Sequence, residues 1–383
     1  MTNIPPLDLT QQYEIISEKV NTRVQEVLSS GRYIGGSIVD DFEQQFAKYI
    51  DVSHCVSCNS GTDALFLALR AVNIGLGDEV ITTSFTFFAT AEVISAVGAT
   101  PIFIDIDPQT FNLDIQQLEL AITEKTKAIL PVHLFGQPVD MTKLMAIARS
   151  HNLIVIEDCA QATGAEWHQQ KVGSFGDIGC FSFFPTKNLG AFGDGGALTT
   201  NNQAIAAQVR ILKNHGQSAK YLSEHIGINS RLDTIQAAIL QVKLPYLDSW
   251  NQQRRNLANH YYKFLSNITA VLPPQELAGG ICVWNQYTIM LKSQDLEATV
   301  EPHFSNSLRD WVRAQLQNQG IGSAIYYPTP LHLQPVYKFL AHRQLPVVEE
   351  VCHQVLSLPM FPELSTLQQE QVAFALKNCL QEL

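Results

Sequence analysis

The chain has 383 residues, of which 46% are hydrophobic and 16% are charged, which excludes both a small disulfide-stapled module and a disordered chain. Its formal net charge of −11 disfavours binding to nucleic-acid phosphates and to anionic membrane surfaces. The N-terminus lacks a basic start followed by an apolar run, and no stretch is apolar over the length that spans a bilayer. We therefore expect a globular cytoplasmic protein that binds neither nucleic acid nor membrane.

From about residue 50, short apolar runs alternate with amphipathic stretches, a pattern typical of an α/β domain with a mostly parallel sheet. Several amphipathic stretches open with Ser, Thr or Asp, which are preferred helix N-caps. The apolar runs predict strands at residues 54–58, 79–83, 101–105, 127–133, 153–157, 178–184 and 196–200. The amphipathic stretches predict helices at residues 62–72, 86–97, 140–151, 203–215 and 231–247.

After a further predicted helix at residues 251–265, the character of the sequence changes. Paired prolines and paired glycines precede a predicted strand at residues 282–291. A polar stretch, a helix that begins near Leu308 and two C-terminal helices follow. We expect a large α/β domain over residues 1–250 and a smaller α+β domain over residues 251–383.

The seven cysteines are an odd number and lie mostly in apolar segments, which favours reduced, buried thiols. Cys55 and Cys58 form a Cys-x-x-Cys pair, which could be a redox pair or half of a zinc site. No second pair follows, and both residues lie in a predicted buried strand, so we favour a structural role. The histidines are scattered, so we expect no metal site and interpret His133 as a structural histidine with satisfied hydrogen bonds.

Two motifs lie at predicted strand ends. The turn Ser60-Gly61-Thr62 joins a strand to a helix, and the free N–H groups of a helix N-terminus can hold a phosphate, although such turns are commonly ordinary caps. A later strand delivers Glu157 and Asp158 to the edge where open α/β sheets bind ligands. A carboxylate there could cap the next turn or pair with a protonated ring nitrogen of a cofactor.

A third motif places Lys187 among aromatic residues and glycines, directly after the predicted strand at residues 178–184. Most lysines are solvated surface groups, but a desolvated lysine can act as a nucleophile. The glycine-rich segment that follows Lys187 allows the backbone to approach a ligand closely, which favours a functional role. A phosphate-binding turn, a strand-end Asp158 and a cleft lysine are together the three fixed points that pyridoxal phosphate requires.

Six further stretches point to a known family. They are Gly31-Arg32-Tyr33-Ile34-Gly35-Gly36, Phe42-Glu43, Gly77-Asp78-Glu79-Val80, Pro131-Val132-His133, Gly227-Ile228-Asn229-Ser230-Arg231-Leu232-Asp233 and Tyr327-Pro328-Thr329-Pro330-Leu331-His332. With the three motifs above, they resemble the DegT/DnrJ/EryC1/StrS sugar aminotransferases over about residues 7–362. The resemblance implies the aspartate-aminotransferase-like fold type I, pyridoxal 5'-phosphate (PLP, PMP in its amino form) as cofactor, and a homodimer with shared active sites.

The same resemblance assigns roles to individual residues. Lys187 would link covalently to the cofactor, and Asp158 would keep the pyridine nitrogen protonated. Gln161 would bond to the ring hydroxyl, and Phe87 would stack on the ring, with core packing as the alternative for Phe87. The phosphate ligands would be Gly61, Thr62 and Ser182, with Asn229 reaching the phosphate from the neighbouring subunit.

Three residues are candidates to contact the substrate: Tyr221, Arg231 and Tyr326. The alternatives are that Tyr221 only packs and that Arg231 caps its own helix. Two positions depart from the family pattern, because Thr163 and Tyr326 stand where many members have histidine. Both departures bear on substrate contacts rather than on the cofactor.

The resemblance implies transfer of an amino group from L-glutamate to a dTDP- or UDP-linked keto sugar, giving an amino sugar. A 3-keto sugar is preferred, and a 4-keto sugar is the alternative. A PMP-dependent sugar dehydratase is a rival in the same fold, but histidine replaces the lysine there and this chain has Lys187. A non-catalytic regulatory relative is a second rival, which the negative charge and the intact Lys187 and Asp158 disfavour. A nicotinamide dehydrogenase is disfavoured because no Gly-x-Gly-x-x-Gly follows the early strands.

Overall fold

The computed structural model of the protein describes residues 3–292, 307–340 and 344–381. A seven-stranded sheet forms its centre, in the order β1-β9-β8-β5-β4-β2-β3, and a short hairpin of β6 and β7 lies outside it. The strands are β1 His54–Cys58, β2 Glu79–Thr83, β3 Thr100–Ile104, β4 Thr126–Leu130, β5 Ile154–Asp158, β6 Glu166–Trp167, β7 Gln170–Lys171, β8 Ile178–Ser182 and β9 Gly196–Thr200.

The predicted α/β class with a mostly parallel sheet is confirmed. Strand β9 is antiparallel to its neighbours β1 and β8, and the other neighbouring pairs are parallel. The strands are almost wholly buried, which explains why they read as unbroken apolar runs. Strand β4 ends at Leu130, three residues before its predicted end, because Pro131 has no N–H group to continue the ladder.

Helices cover the sheet close to their predicted positions. Ser60, Asp140 and Asn202 each accept a hydrogen bond from the first turn of the helix that follows, as N-caps do. The helices of this group are α3 Gly61–Ala71, α4 Ala89–Ala96, α5 Met141–Ser150 and α6 Gln203–Leu212. The predicted helix at 231–247 is shorter: α7 spans Thr234–Lys243, a 3₁₀ turn with Pro245 at its start follows, and α8 spans Leu247–Leu265.

Two N-terminal helices, α1 Thr10–Ser30 and α2 Ser37–Ile50, were not predicted. Helix α1 buries only a narrow apolar stripe, so most of its 21 residues are polar or exposed and the helical pattern is weak. Both helices pack against α7. Phe46 of α2 packs edge-on against Phe181 and Phe183, which come from β8 and the residue that follows it.

The C-terminal part builds a second core. A three-stranded antiparallel sheet of β12 Val271–Leu272, β14 Tyr287–Leu291 and β15 Val355–Leu358 packs with the C-terminal half of α8. The helices here are α9 Leu308–Asn318, α10 Pro346–Gln354 and α11 Thr366–Gln381. Gly320, with φ of 78°, follows the end of α9 as predicted. The polar stretch predicted before Leu308 lies outside the described residues.

Three short strands lie outside these sheets: β10 Gln217–Ala219 and β11 Leu222–Ser223 form a ribbon, and β13 Gly280–Ile281 pairs with β6. The predicted strand at 282–291 is therefore shorter, because only its second half joins a sheet. Over residues 3–292, 307–340 and 344–381, no helix is both long and apolar enough to cross a bilayer. All seven cysteines are buried, and Cys55 and Cys58 lie in the buried strand β1 as predicted.

Candidate active site

Asp158 is the last residue of β5 and lies at the carboxyl edge of the sheet, almost fully buried. Its Oδ2 accepts a hydrogen bond of 2.9 Å from the hydroxyl of Thr90, and its Oδ1 accepts one of 3.1 Å from the N–H of Ala160. Burial raises the pKa of Asp158, while these donors and the Lys187 ammonium oppose that rise. The carboxylate is therefore held in place beside a cation.

The neighbouring acid, Glu157, points to the other face of β5 and has a structural role. It accepts hydrogen bonds from the N–H groups of Gly173, Phe175 and Gly176 at 2.8 to 2.9 Å, and from Nε2 of His133 at 3.0 Å. The N–H of Val139 donates to Nδ1 of His133, so both ring nitrogens are satisfied, as predicted. Cys159 lies close to this pair, but the ligand atoms of His133 and Glu157 already have partners.

Lys187 lies five residues after the end of β8, in a loop that folds back over the sheet edge. Its N–H donates to the carbonyl of Phe184, and its side chain is half-buried. Burial lowers the pKa of Lys187 to about 8, against the opposing attraction of Asp158. A larger fraction of this amine is therefore neutral at physiological pH than of an exposed lysine, as nucleophilic attack requires.

Gly61 and Ser182 bring the ends of β1 and β8 together. A Cβ on Gly61 would lie 2.7 Å from Cβ of Ser182, and one on Gly196 would run into the carbonyl of Ser60. Ser60 caps α3 through the N–H of Asp63, and the first N–H groups of the helix, at Gly61 and Thr62, have no acceptor within the helix. This cradle of small residues at a helix N-terminus fits a phosphate group.

Phe87 is 59% exposed, whereas Phe85, two residues before it, is fully buried and packs in the core. Core packing is thus wrong for Phe87 and right for Phe85. The ring of Phe87 lies 6.4 Å from that of Tyr327. Gln161 donates to the Tyr327 hydroxyl at 3.1 Å and accepts from the N–H of Phe135 at 2.7 Å. An accessible aromatic face and an anchored amide thus come together near the sheet edge.

Four predicted residues remain: Tyr221, Asn229, Arg231 and Tyr326. Tyr221 is 86% exposed and does not pack in the core, and Asn229 is exposed on a segment bridged to Asn214. Arg231 donates to Asn214 at 3.5 Å and does not cap its own helix. It lines a cleft of about 290 Å³. Tyr326 is half-buried with its ring 5.8 Å from that of Tyr327.

Two contact residues of the site were missed from the sequence: Thr90, which donates to Asp158, and Tyr327, which bonds to Gln161. A signal for Thr90 exists, because Thr86 and Thr90 are four residues apart and lie on the same face of the predicted helix at residues 86–97. Nothing local in the sequence connects Tyr327 with Gln161.

The site residues fit pyridoxal phosphate. Gly61 lies against Ser182, so the hydroxyl of Ser182 comes next to the first N–H groups of α3, and both kinds of donor suit a phosphate. A buried carboxylate suits a protonated ring nitrogen, and a lysine with a lowered pKa suits an aldehyde. The chemical demands of the cofactor are thus met by three different strand ends.

Comparisons with known proteins agree with this geometry. The chain matches the model of the DegT/DnrJ/EryC1/StrS aminotransferase family over residues 14–377. It is 47% identical over 374 residues to a pleiotropic regulatory protein of Geobacillus stearothermophilus, covering 97% of this chain and 96% of the relative. It is 45% identical over 379 residues to a UDP-N-acetyl-3-dehydro-alpha-D-glucosamine 3-aminotransferase of Acidithiobacillus ferrooxidans, covering 99% and 98%.

Among solved structures, the chain is similar to the crystal structure of DesV from S. venezuelae in complex with a ketimine intermediate. The TM-score is 0.94 at 39% identity, with all of both chains covered. The predicted fold class and resemblance are thereby confirmed. The chain belongs to the DegT/DnrJ/EryC1/StrS aminotransferase family.

Proposed function

We propose that the protein is a PLP-dependent aminotransferase that moves an amino group from L-glutamate to C3 of a dTDP- or UDP-linked keto sugar. The observation that carries this proposal is that the half-buried Lys187, whose pKa is lowered to about 8, and the buried Asp158 lie at one sheet edge, where their charges attract each other. The preference for C3 is supported by the name of the Acidithiobacillus relative, a 3-aminotransferase of a UDP-linked sugar.

The residues of the site would have separate roles in cofactor binding and in proton transfer. Gly61, Thr62 and Ser182 would hold the phosphate, Phe87 would cover one face of the ring, and Gln161 would bond to the ring hydroxyl. When bound, pyridoxal phosphate supplies an electron sink for the bond electrons of the amino donor. Asp158 holds a proton at the ring nitrogen, which keeps that sink strong. Lys187 takes a proton from the donor carbon and returns one at the acceptor carbon.

The substrate contacts and the assembly are part of the same proposal. Tyr221, Arg231 and Tyr326 would contact the sugar nucleotide, since all three lie outside the cofactor set and two of them are not committed to packing. The exposed Asn229 would reach the phosphate in a neighbouring subunit, in a homodimer with shared active sites. Six buried free thiols support a cytoplasmic location, those of Cys55, Cys58, Cys159, Cys180, Cys282 and Cys352. We propose the domain division at residue 250 because a second core lies almost entirely within residues 251–383, with α10 of that part packing on the core of the central sheet.

The test is turnover with defined substrates. Purified protein loaded with pyridoxal phosphate should convert more than one equivalent of L-glutamate to 2-oxoglutarate only when a UDP- or dTDP-linked keto sugar is present to accept the amino group, and the product should carry its amine at C3. Amination at C4 would replace the C3 assignment with the 4-keto alternative. Borohydride reduction followed by mass spectrometry should place the cofactor on the peptide that contains Lys187.

Lys187→Ala should lose the borohydride-trapped cofactor and at least about a thousandfold in kcat, since it removes the nucleophile and the proton carrier together. Lys127→Ala, a change at an exposed lysine of β4, is the matched control and should leave both unchanged. Equal turnover in wild type and Lys187→Ala would contradict the assignment.

A regulatory role is a second candidate, because the Geobacillus relative carries a regulatory name. The formal charge of −11 does not favour binding to DNA, and the presence of both Lys187 and Asp158 at the site favours catalysis. Cofactor binding without turnover on any nucleotide keto sugar would favour the regulatory candidate.

A further inference from the structure

A row of three hydrogen-bonded side chains lies beside the site and has no role in the chemistry above. Oγ of Ser84 lies 2.8 Å from Nδ1 of His332, and Nε2 of His332 lies 3.1 Å from Oε1 of Glu349. Ser84 is 1% exposed and His332 is fully buried. The three residues come from the end of β2, from the segment after Tyr327, and from α10.

The proton positions in this row follow from its partners. The Glu349 carboxylate can only accept, so Nε2 of His332 carries a hydrogen and Nδ1 accepts one from the hydroxyl of Ser84. The backbone N–H of His332 also donates to Oγ of Ser84, at 3.1 Å. A Ser–His–acid row can activate a nucleophile, but Ser84 is buried beyond the reach of any substrate. The row therefore serves to connect chain segments.

The segments that the row connects carry two walls of the site. The N–H of Leu331 donates to the carbonyl of Ser84 at 2.9 Å, so backbone and side chain bind the same two segments together. Phe87 lies three residues after Ser84, and Tyr326 lies six residues before His332. Ring contacts of 6.1 and 6.4 Å join Tyr327 to Phe85 and Phe87.

Helix α10 is fixed to the sheet at a second point. Asp105, buried at the end of β3, accepts hydrogen bonds of 2.9 Å from the N–H groups of Val347 and Val348 in the first turn of α10. The N–H of Leu345 donates to Oε1 of Glu349, the same oxygen that His332 reaches. One end of α10 is thus bound to β3 directly and to β2 through His332.

We propose that His332 is a positioning residue, which with Ser84 and Glu349 sets the distance between the cofactor wall at Phe87 and the substrate wall at Tyr326. The proposal rests on the proposed function, because it assigns these walls to cofactor and substrate. Loss of these hydrogen bonds should leave the chemistry of Lys187 intact, but the keto sugar should be held less precisely relative to Lys187. Small misplacements of this kind cost between about tenfold and a hundredfold in rate.

The test uses three variants on one helix. Glu349→Ala removes the acceptor of His332 at a side chain that is 39% exposed, so the fold should tolerate it. Glu349→Gln keeps one carbonyl oxygen, which can accept from both His332 and Leu345 as Oε1 does now. Glu350→Ala is the matched control, because Glu350 is exposed and bonds only to Gln354 among the described hydrogen bonds.

Three measurements decide the question: kcat/KM for the keto sugar, the visible circular dichroism of bound pyridoxal phosphate, and hydrogen exchange in the peptide that contains Leu331 and His332. We expect Glu349→Ala to lower kcat/KM about tenfold or more, to change the dichroism and to speed exchange. Glu349→Gln and Glu350→Ala should match wild type in all three. His332→Phe, which keeps the ring volume without hydrogen bonds, should behave like Glu349→Ala.

Two outcomes would overturn the inference. If Glu349→Ala and His332→Phe keep the wild-type kcat/KM and dichroism, the row is structural only. If Glu349→Gln is as impaired as Glu349→Ala, charge and not the hydrogen bond matters. If wild type binds no pyridoxal phosphate, the proposed function itself has failed, and hydrogen exchange alone then decides whether the connection exists.

Discussion

Thr90 donates a hydrogen bond of 2.9 Å from its hydroxyl to Oδ2 of Asp158. The hydroxyl of Thr86 lies 2.9 Å from that of Thr90. Since the single proton of Thr90 is directed at the carboxylate, Thr86 must donate to Thr90. Asp158 thus receives a donor that is itself polarised by a second hydroxyl, in a buried place where a lone carboxylate would take up a proton.

Replacing this donor should weaken catalysis. In Thr90→Val the pKa of Asp158 should rise further, because burial still raises it and one opposing hydrogen bond is gone. A neutral Asp158 stabilises a protonated ring nitrogen poorly. We expect kcat to fall by about tenfold or more, because that factor corresponds to the energy of one hydrogen bond to a charged group. Thr90→Ser keeps the hydroxyl and is the control. Wild-type kcat in Thr90→Val would show that Asp158 does not need this donor.

The close contact between Gly61 and Ser182 predicts that a larger residue at position 61 weakens cofactor binding. In Gly61→Ala the new methyl group would lie 2.7 Å from Cβ of Ser182, so the ends of β1 and β8 must move apart. We expect pyridoxal phosphate to bind the apo-protein at least about tenfold more weakly, as titration calorimetry would measure. Gly75→Ala is the matched control, since its nearest neighbour would be a carbonyl oxygen at an ordinary 3.5 Å. Equal affinity in both variants would place the phosphate elsewhere.

The lowered pKa of Lys187 predicts how the apo-protein captures its cofactor. Only the neutral amine attacks an aldehyde, and burial lowers the pKa of Lys187 to about 8. The capture rate should therefore rise about tenfold per pH unit below pH 8 and level off above it. Stopped-flow absorbance between about pH 6 and about pH 10 would follow this. A rate that still climbs at the upper end would mean that Lys187 titrates like an exposed lysine, near its ordinary value.

Glu157 should matter for stability rather than for chemistry. Glutamine offers one acceptor oxygen where the carboxylate accepts four hydrogen bonds, three of them from backbone N–H groups. Glu157→Gln should lower the free energy of unfolding by about 3 kcal/mol, measured by urea titration, because buried donors are left unpaired. Glu124→Gln, at an exposed position, should change it by less than about 0.5 kcal/mol. An unchanged urea midpoint in Glu157→Gln would mean that water replaces the lost acceptor.

The sequence predicts those parts of the fold that local patterns encode. The bounds of β1, β2 and β9 were predicted to the residue, because strands that are buried on both faces are short apolar runs between polar turns. Asp158 at the sheet edge follows from the same pattern. Helix α1 was missed because only three of its aliphatic residues are buried, Ile16, Val20 and Val27, and this narrow stripe is hard to recognise in a mostly polar helix.

Contacts between segments that are distant along the chain could not be predicted from the sequence. The bond between Gln161 and Tyr327 joins residues 166 positions apart, and that between Ser84 and His332 joins residues 248 positions apart. Neither residue type nor spacing indicates which pairs will meet. The roles of Tyr221, Arg231 and Asn229 remain predictions for the same reason, since each depends on a substrate or on a second subunit.

The antiparallel strand β9 also dictates when the site can form during synthesis. Strand β1 pairs only with β9 in the central sheet, and Cys58 meets Gly196 about 140 residues later in the chain. At roughly 5 to 20 residues per second, the ribosome needs on the order of ten seconds to deliver that partner. Until then β1 has no partner strand, and β9 is not yet in place between β1 and β8 to bring Gly61 next to Ser182. Nascent chains that end before residue 200 should therefore bind no cofactor and depend on chaperones to shield that edge.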